Sequence, residues 1–311
     1  KVGKTKMKKW LALLLTTVAM VLAACGSDDV DSKDEGKKDA STLTYESEAG
    51  PIELPTDPKR VVVLSLFVGD LLEMGVNVVG MDSWSHDNPE FAKAYPNAEI
   101  IESADLEKII ELDPDLIIGS AGIENPEKLQ EIAPTVLFTY GSIDYIQQRR
   151  EVGKVVNKEA EMNTWLEEFK ARTVAVGEKI KEKIGEDATV TVGGYSEKQI
   201  YLFGDSWGRG TEVLYQEMGL KMPEVVADVA LEPGYFGISE EVLGDYVGDY
   251  LVLNVAETET DTTFLDSGWY NNIPAVKDGK VLIMIKCACL KKSSMTTREV
   301  LGLCMGGIYQ I

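Results

Sequence analysis

The sequence predicts an α/β protein built as two Rossmann-like α/β lobes joined by one long helix. Three observations predict it. Short apolar runs alternate with amphipathic segments across residues 43–157, the alternation returns across 186–285, and one long helical period fills 158–185 between them. Apolar strands interleaved with helices are the pattern of parallel sheets covered by crossover helices. A chain of 311 residues is long enough to give each lobe its own core.

In chain order, Arg60–Leu64 reads as a strand, Asp70–Met74 as a short helix closed by Gly75, and Val78–Met81 as a second strand. Leu106–Leu112 is a helix stopped by Asp113-Pro114, and the strand Leu116–Gly119 follows. Pro126–Ala133 is a helix and Thr135–Thr139 a strand. From 158 to 184, Met162, Trp165, Leu166, Phe169, Val176, Ile180 and Ile184 recur at helical spacing, and Gly185 ends the run. At 1.5 Å per residue this helix is about 40 Å long, enough to cross between two lobes. Strands follow at Thr189–Gly193 and Gln199–Phe203, helices at Thr211–Met218 and Glu240–Tyr246, and strands at Tyr250–Val255 and Lys280–Ile285. The two halves share a segment. Leu106-Glu107 through Asp115-Leu116-Ile117-Ile118 matches Glu240-Glu241 through Asp249-Tyr250-Leu251-Val252 at a constant offset of 134 residues, which pairs Glu107 with Glu241.

Residues 1–24 carry a different pattern. Lys8 and Lys9 precede an apolar run from Trp10 to Val21, shorter than the roughly 20 residues of a membrane span but suited to a signal peptide. Residues 1–6, before Met7, read as upstream sequence. Leu22-Ala23-Ala24-Cys25-Gly26 resembles the lipobox of bacterial lipoproteins, which implies that Cys25 becomes the lipidated first residue, anchored to a membrane on its extracytoplasmic face. Two or more acyl chains, at about 0.8 kcal/mol per buried CH₂, hold a protein stably on a membrane. Residues 25–42 then form a tether: Gly26–Ser41 is nearly devoid of apolar side chains and reaches roughly 20–24 Å.

Composition excludes several functions. Formal net charge is −21; without the five lysines before Cys25 it is −26, with 26 basic against 52 acidic residues. Nucleic acid, which requires a basic face, is not an expected partner. The single histidine, His86, cannot build a His-rich metal site. Cys287, Cys289 and Cys304 crowd into the last 25 residues and form no disulfide framework. No phosphate-binding loop or dinucleotide fingerprint is present. Gly204-Asp205-Ser206-Trp207-Gly208 satisfies G-x-S-x-G, but a serine hydrolase needs a base after the serine, and His86 lies far upstream. Hydrolysis through Ser206 is therefore the disfavoured alternative, and no catalytic residue is assigned.

Trp207 and Arg209 sit in a Gly-rich turn between a strand and a helix, where side chains project at the mouth of an α/β lobe. This turn, Gly204-Asp205-Ser206-Trp207-Gly208-Arg209-Gly210, together with the lipobox, Asp57-Pro58-Lys59-Arg60-Val61-Val62, Leu106-Glu107-Lys108-Ile109 and Asp113-Pro114-Asp115-Leu116-Ile117-Ile118, resembles the iron-siderophore substrate-binding lipoproteins of ABC importers. Its Trp-Gly-Arg-Gly portion is similar to the ferrichrome- and ferrioxamine-binding, or iron–hydroxamate, branch. The resemblance spans about residues 43–285. It implies a class III periplasmic-binding-protein-like fold with the ligand cleft between the lobes, a monomer, no cofactor, and iron held by the siderophore and not by protein ligands. An Fe(III)–trihydroxamate presents electron-rich oxygens on a largely apolar body, so its recognition wants a guanidinium fork, phenol donors and flat aromatic walls. By motif position Arg209 bonds the hydroxamate oxygens, Trp207 forms a wall and Tyr201 donates from the preceding strand. Tyr145 occupies a matching place in the N-terminal lobe, and Trp84, in the polar loop Asp82–Pro89, and Phe67 are weaker candidates. The resemblance also implies that Glu107 and Glu241 dock on arginines of the permease subunits. Alternative ligands are another ferric siderophore, haem or cobalamin.

Residues 286–311 depart from that pattern. The family continues with an aromatic-rich loop and an amphipathic helix; here Lys286-Cys287-Ala288-Cys289 leads into a stretch without helical periodicity, as a shifted reading frame would give, and the expected aromatic ligand is absent.

Overall fold

The structure is a computed structural model and describes residues 41–102, 105–196, 199–255, 262–285 and 288–290. Residues 1–40, with the expected signal segment, Cys25 and all of the tether but Ser41 and Thr42, lie outside the described residues, as do residues 286, 287 and 291–311. Among the described residues no helix is long and apolar enough to cross a membrane.

The N-terminal lobe opens on an antiparallel hairpin, β1 (Thr42–Ser47) and β2 (Gly50–Pro55). It adds Tyr45 and Leu54 to the core. A five-stranded parallel sheet follows in the order β5-β4-β3-β6-β7, from β3 (Val61–Leu64), β4 (Val78–Met81), β5 (Glu99–Ile100), β6 (Leu116–Ser120) and β7 (Thr135–Phe138). Every residue of β3 is buried. Val61 and Val63 face one core and Val62 and Leu64 another, because alternate side chains point to opposite faces and helices cover both. The chain builds outward from β3 to one side and then to the other, so the strand order reverses between β3 and β6. In open α/β sheets that reversal opens a crevice at the carboxyl ends of the strands.

The helices of this lobe are α1 (Val68–Glu73), α2 (Ser83–His86), α3 (Pro89–Ala94), α4 (Leu106–Glu111), α5 (Pro126–Ile132) and α6 (Tyr145–Val155). The Asp82–Pro89 segment, read from sequence as a polar loop, contains α2 and the start of α3. Asp82 caps α2 by accepting from Ser85 N at 2.8 Å, and Asn88 caps α3 by accepting from Glu90 N at 3.0 Å. Helix α6 was not legible because two of its buried positions are Arg149 and Gly153, which break the apolar period.

Helix α7 (Glu159–Ile184) runs 26 residues, close to the expected span. Met162 and Leu166 enter the N-terminal core, whereas Phe169 and Ile180 enter a core shared with the C-terminal lobe. Trp165 ties it to α1, its Nε1 donating to Glu73 Oε2 at 2.9 Å. At Gly177 an added Cβ would lie 2.3 Å from the Met218 carbonyl oxygen, so glycine is what lets the helix touch the backbone of the second lobe.

The C-terminal sheet has the order β10-β9-β8-β11-β12-β13, from β8 (Val190–Ser196), β9 (Gln199–Phe203), β10 (Tyr235–Ile238), β11 (Tyr250–Val255), β12 (Val281–Ile285) and β13 (Ala288–Leu290). Strands β8, β11 and β12 are parallel; β9, β10 and β13 run antiparallel to their neighbours. Only two residues separate β8 from β9, too few for a parallel crossover. The 134-residue offset has a structural counterpart. Asp115 accepts from Lys59 N (2.6 Å) and Arg60 N (2.9 Å) just before β3, and Asp249 accepts from Thr189 N (2.8 Å) just before β8. The strands after each aspartate, β6 and β11, pair in parallel with β3 and β8 respectively. The expected helix at Glu240–Tyr246 is instead a 3₁₀ turn over Glu240–Asp245, and Thr211–Met218 forms a wide turn over Glu212–Glu217 with Met218 N bonded to Val213 O at 2.9 Å.

Candidate ligand cleft

A cleft of about 650 Å³ lies between the two lobes, within the size range of small-molecule sites. Its N-terminal wall comes from the carboxyl ends of parallel strands: Leu66 after β3, Trp84 after β4, and Tyr140 and Tyr145 after β7. Its other wall is the turn that follows β9, Ser206 to Gly210, together with Glu212 and Gln216.

That turn owes its shape to three consecutive residues in the left-handed region, Gly208 (φ 73°), Arg209 (φ 55°) and Gly210 (φ 81°). Glycine adopts this conformation freely; arginine does so at a cost of roughly 1–2 kcal/mol. The turn is held from below. Thr211's hydroxyl donates to Gly208 O at 2.7 Å, Gly208 N donates to Glu212 Oε1 at 2.8 Å, and Gln216 Nε2 donates to Asp205 O at 2.6 Å. The Arg209 guanidinium lies over the Phe203 ring, Cζ 4.9 Å from its centroid. Burial pulls its pKa down from the ordinary value, opposed by Tyr140 and Glu212; a guanidinium stays charged there, and it lines the cleft with its Nη1 donating to Trp207 O at 3.4 Å.

The aromatic side chains form a chain of ring contacts. Tyr140 meets Trp207 edge-on with centroids 5.9 Å apart, Trp207 meets Tyr235 at 4.9 Å, and Tyr235 meets Tyr201 at 6.1 Å. Gly234 makes room for the indole: a Cβ there would lie 2.5 Å from Trp207 Cε3. On the other side, Tyr145 is the first residue of α6, which Asp144 caps, and its hydroxyl donates across to Glu217 Oε1 at 2.7 Å. Burial first, and then Glu217, raise its pKa far above the ordinary phenol value. Beneath it Arg149 pairs with Asp70 at 2.5 Å, their side chains only 4% and 1% exposed, and its guanidinium carbon lies 5.9 Å from the Tyr145 ring centre and 5.5 Å from that of Trp165.

Of the residues singled out from sequence, Trp207, Arg209, Tyr145 and Trp84 line this one cleft, Trp84 from a position 51% exposed. Tyr201 sits one ring behind it, reaching Trp207 through Tyr235. Phe67 requires a correction: it is 1% exposed and packs on Phe138 with centroids 5.1 Å apart, in the core. Positive φ at Ser65 (117°) and Leu66 (59°) turns the chain so that Leu66 takes the place at the cleft expected of Phe67. Glu107 and Glu241 are exposed, on α4 and on the 3₁₀ turn. Tyr140, Arg149 and Glu212 line the cleft without a sequence motif that marks them, and Tyr235 packs behind it on Trp207. Glu212 could have been found, three residues beyond Arg209 in the same turn; Arg149, beside Arg150, had no signal of its own. Among the described residues no group of His, Cys, Asp and Glu is placed to hold a metal ion.

The chain belongs to the periplasmic binding protein family, whose sequence profile matches residues 61–286. Its relatives include the iron(3+)-hydroxamate-binding proteins FhuD and YxeB of Bacillus subtilis. FhuD is 35% identical over 283 residues, 88% of each chain, and YxeB 31% identical over 289 residues, 89% of each. The fold matches that of the FhuD protein from S. pseudintermedius with a TM-score of 0.72 at 29% identity, over 86% of this chain and 98% of that one. It matches FhuD2 from Staphylococcus aureus with bound ferrioxamine B with a TM-score of 0.69 at 31% identity, over 73% and 89%. These relatives are binding proteins and not enzymes.

Proposed function

We propose that this protein captures a ferric hydroxamate siderophore in the cleft, is held on the extracytoplasmic face of a membrane by lipid on Cys25, and delivers its ligand to an ABC importer. The observation that carries the reading is Arg209, presented on a strained left-handed turn against Trp207 and Tyr140 and facing Tyr145 across about 650 Å³. A guanidinium fork suits hydroxamate oxygens, and indole and phenol faces suit the ligand's apolar body. The iron–hydroxamate-binding relatives support the same class of ligand.

Trp207 and Trp84 in the cleft make intrinsic fluorescence the direct test. Ferrichrome or ferrioxamine should quench it saturably at micromolar concentration or below, while ferric catecholates, haem and cobalamin should not. Quenching by one of the latter, with no response to either hydroxamate, would replace the hydroxamate reading.

Delivery uses other residues. Glu107 and Glu241 are exposed on elements outside the cleft, each eight residues before the aspartate, Asp115 or Asp249, that holds the start of β3 or β8 in its own lobe. If both meet permease arginines, either alanine variant should reduce uptake and the pair should reduce it further, with siderophore affinity intact. Membrane fractionation of the same cells, with Cys25→Ser as control, reports the anchor. Normal transport by the double variant at normal surface abundance would make these glutamates ordinary solvated acids.

A further inference from the structure

We propose that Glu212 is the charge-selecting residue of the cleft, directing it toward ferric trihydroxamates that carry a pendant ammonium and against those that carry a carboxylate. The inference rests on the hydroxamate reading above and adds the class of ligand within it. Three hydroxamate groups cancel the charge of Fe(III), so the iron-bearing core is neutral and only an appended group gives such a ligand its net charge.

The cleft is lined by two guanidiniums, and one is already matched. Arg149 is paired with Asp70 in the buried floor. Arg209 stacks on Phe203 and forms no ion pair among the described residues. The same cleft is lined by the carboxylates of Asp144, beside Arg149 in the N-terminal lobe, and Glu212, beside Arg209 on the opposite wall. Asp144 is engaged at the start of α6, where it accepts from Gln147 N at 2.9 Å. Glu212 is partly buried on the wall itself. Its Oε1 accepts from Gly208 N at 2.8 Å, and its Oε2 has the Thr211 hydroxyl at 3.2 Å, a group that also lies 2.7 Å from Gly208 O. Acceptor capacity therefore remains on Oε2.

Glu212's field reaches both walls. After burial, it is the next cause raising the Tyr140 phenol, it adds to the rise at Tyr145, and on its own wall it helps Arg209 hold its proton against burial. With the buried Asp70 under Arg149 counted, three carboxylates lie in or beneath the cleft against two guanidiniums, in a chain of net charge −21. A partly buried carboxylate is screened less than a surface one. At separations of 6–8 Å and intermediate dielectric, each unit of ligand charge is worth about 5- to 10-fold in affinity.

The test compares three ligands on one ferric trihydroxamate core: ferrioxamine B with its free ammonium, its N-acetyl derivative, which is neutral, and its N-succinyl derivative, which carries a carboxylate. Tryptophan quenching of the wild-type protein should rank them in that order with about 5- to 10-fold between steps, and 0.5 M NaCl should compress the ranking. Glu212→Gln keeps an amide oxygen for the Gly208 N–H but removes the charge, and should shrink each step to about 2-fold or less. Equal wild-type affinities for all three overturn the inference and leave the hydroxamate reading standing. So does a Glu212→Gln variant that changes all three affinities by one common factor, because Glu212 then only supports the turn. Binding of none of the three overturns this inference; the hydroxamate reading falls with it only if ferrichrome is not bound either. Should Glu212→Gln fail to fold, Glu212→Ala is read on the same three ligands, and steps as large as the wild type's in that folded variant overturn the inference.

Discussion

Replacing Arg149 by Ala is expected to lower folding stability by about 3–5 kcal/mol, the cost of stripping a buried carboxylate of its guanidinium. Asp70 lies in the first turn of α1 and Arg149 in α6, 79 positions apart in sequence, and the pair is almost wholly enclosed. The guanidinium also fills the space between Tyr145 and Trp165, so its loss removes packing as well as charge. The double replacement Asp70→Leu with Arg149→Met should recover most of the loss, since apolar residues of similar volume avoid the desolvation penalty that the ion pair carries. Urea unfolding of both variants measures this. A single-variant loss below 1 kcal/mol would show that the pair is compensated by its surroundings.

Arg209→Ala is expected to weaken siderophore binding about 10- to 150-fold, the 1.5–3 kcal/mol typical of a hydrogen bond to a charged group. Arg209→Lys should recover part at most, because an ammonium cannot reproduce the planar fork. Arg209→Gly separates function from strain. At φ 55° glycine relieves a conformation that both Arg and Ala resist, so this variant should bind as poorly as the alanine variant while being about 0.5–1 kcal/mol more stable. Fluorescence titration and urea midpoints on the three variants test both halves. An affinity untouched in folded Arg209→Ala would leave Arg209 as a turn residue only.

The sequence alone reveals the class of the fold, because strand and helix periods are local properties. Val61–Leu64 and Leu116–Ser120 are apolar runs since both sheet faces are covered, and the buried positions Met162, Leu166, Phe169 and Ile180 of α7 repeat at helical spacing. It also determined the turn that carries Trp207 and Arg209, whose glycines mark the left-handed backbone before any contact is known. The 134-residue offset was likewise legible, since Asp115 and Asp249 each secure a strand of their own lobe.

Tertiary structure decided the rest. Arg149 and Gly153 hid α6 because what a helix buries is set by its neighbours: Asp70 compensates the charge, and Met162 occupies the space beside the glycine. The wide turn at Glu212–Glu217 and the 3₁₀ turn at Glu240–Asp245 share side-chain spacings with an α-helix over one or two turns, so periodicity could not separate them. Phe67 and Leu66 are both apolar neighbours in a strand-exit loop, and only the positive φ values at Ser65 and Leu66 send one to the core and the other to the cleft. Tyr140 and Glu212 come from different lobes and meet at the cleft only because the fold brings distant loops together. Residue type and spacing are written along the chain, whereas which side chains share a cavity, and how far one carboxylate's field extends inside it, are properties of the folded surface alone.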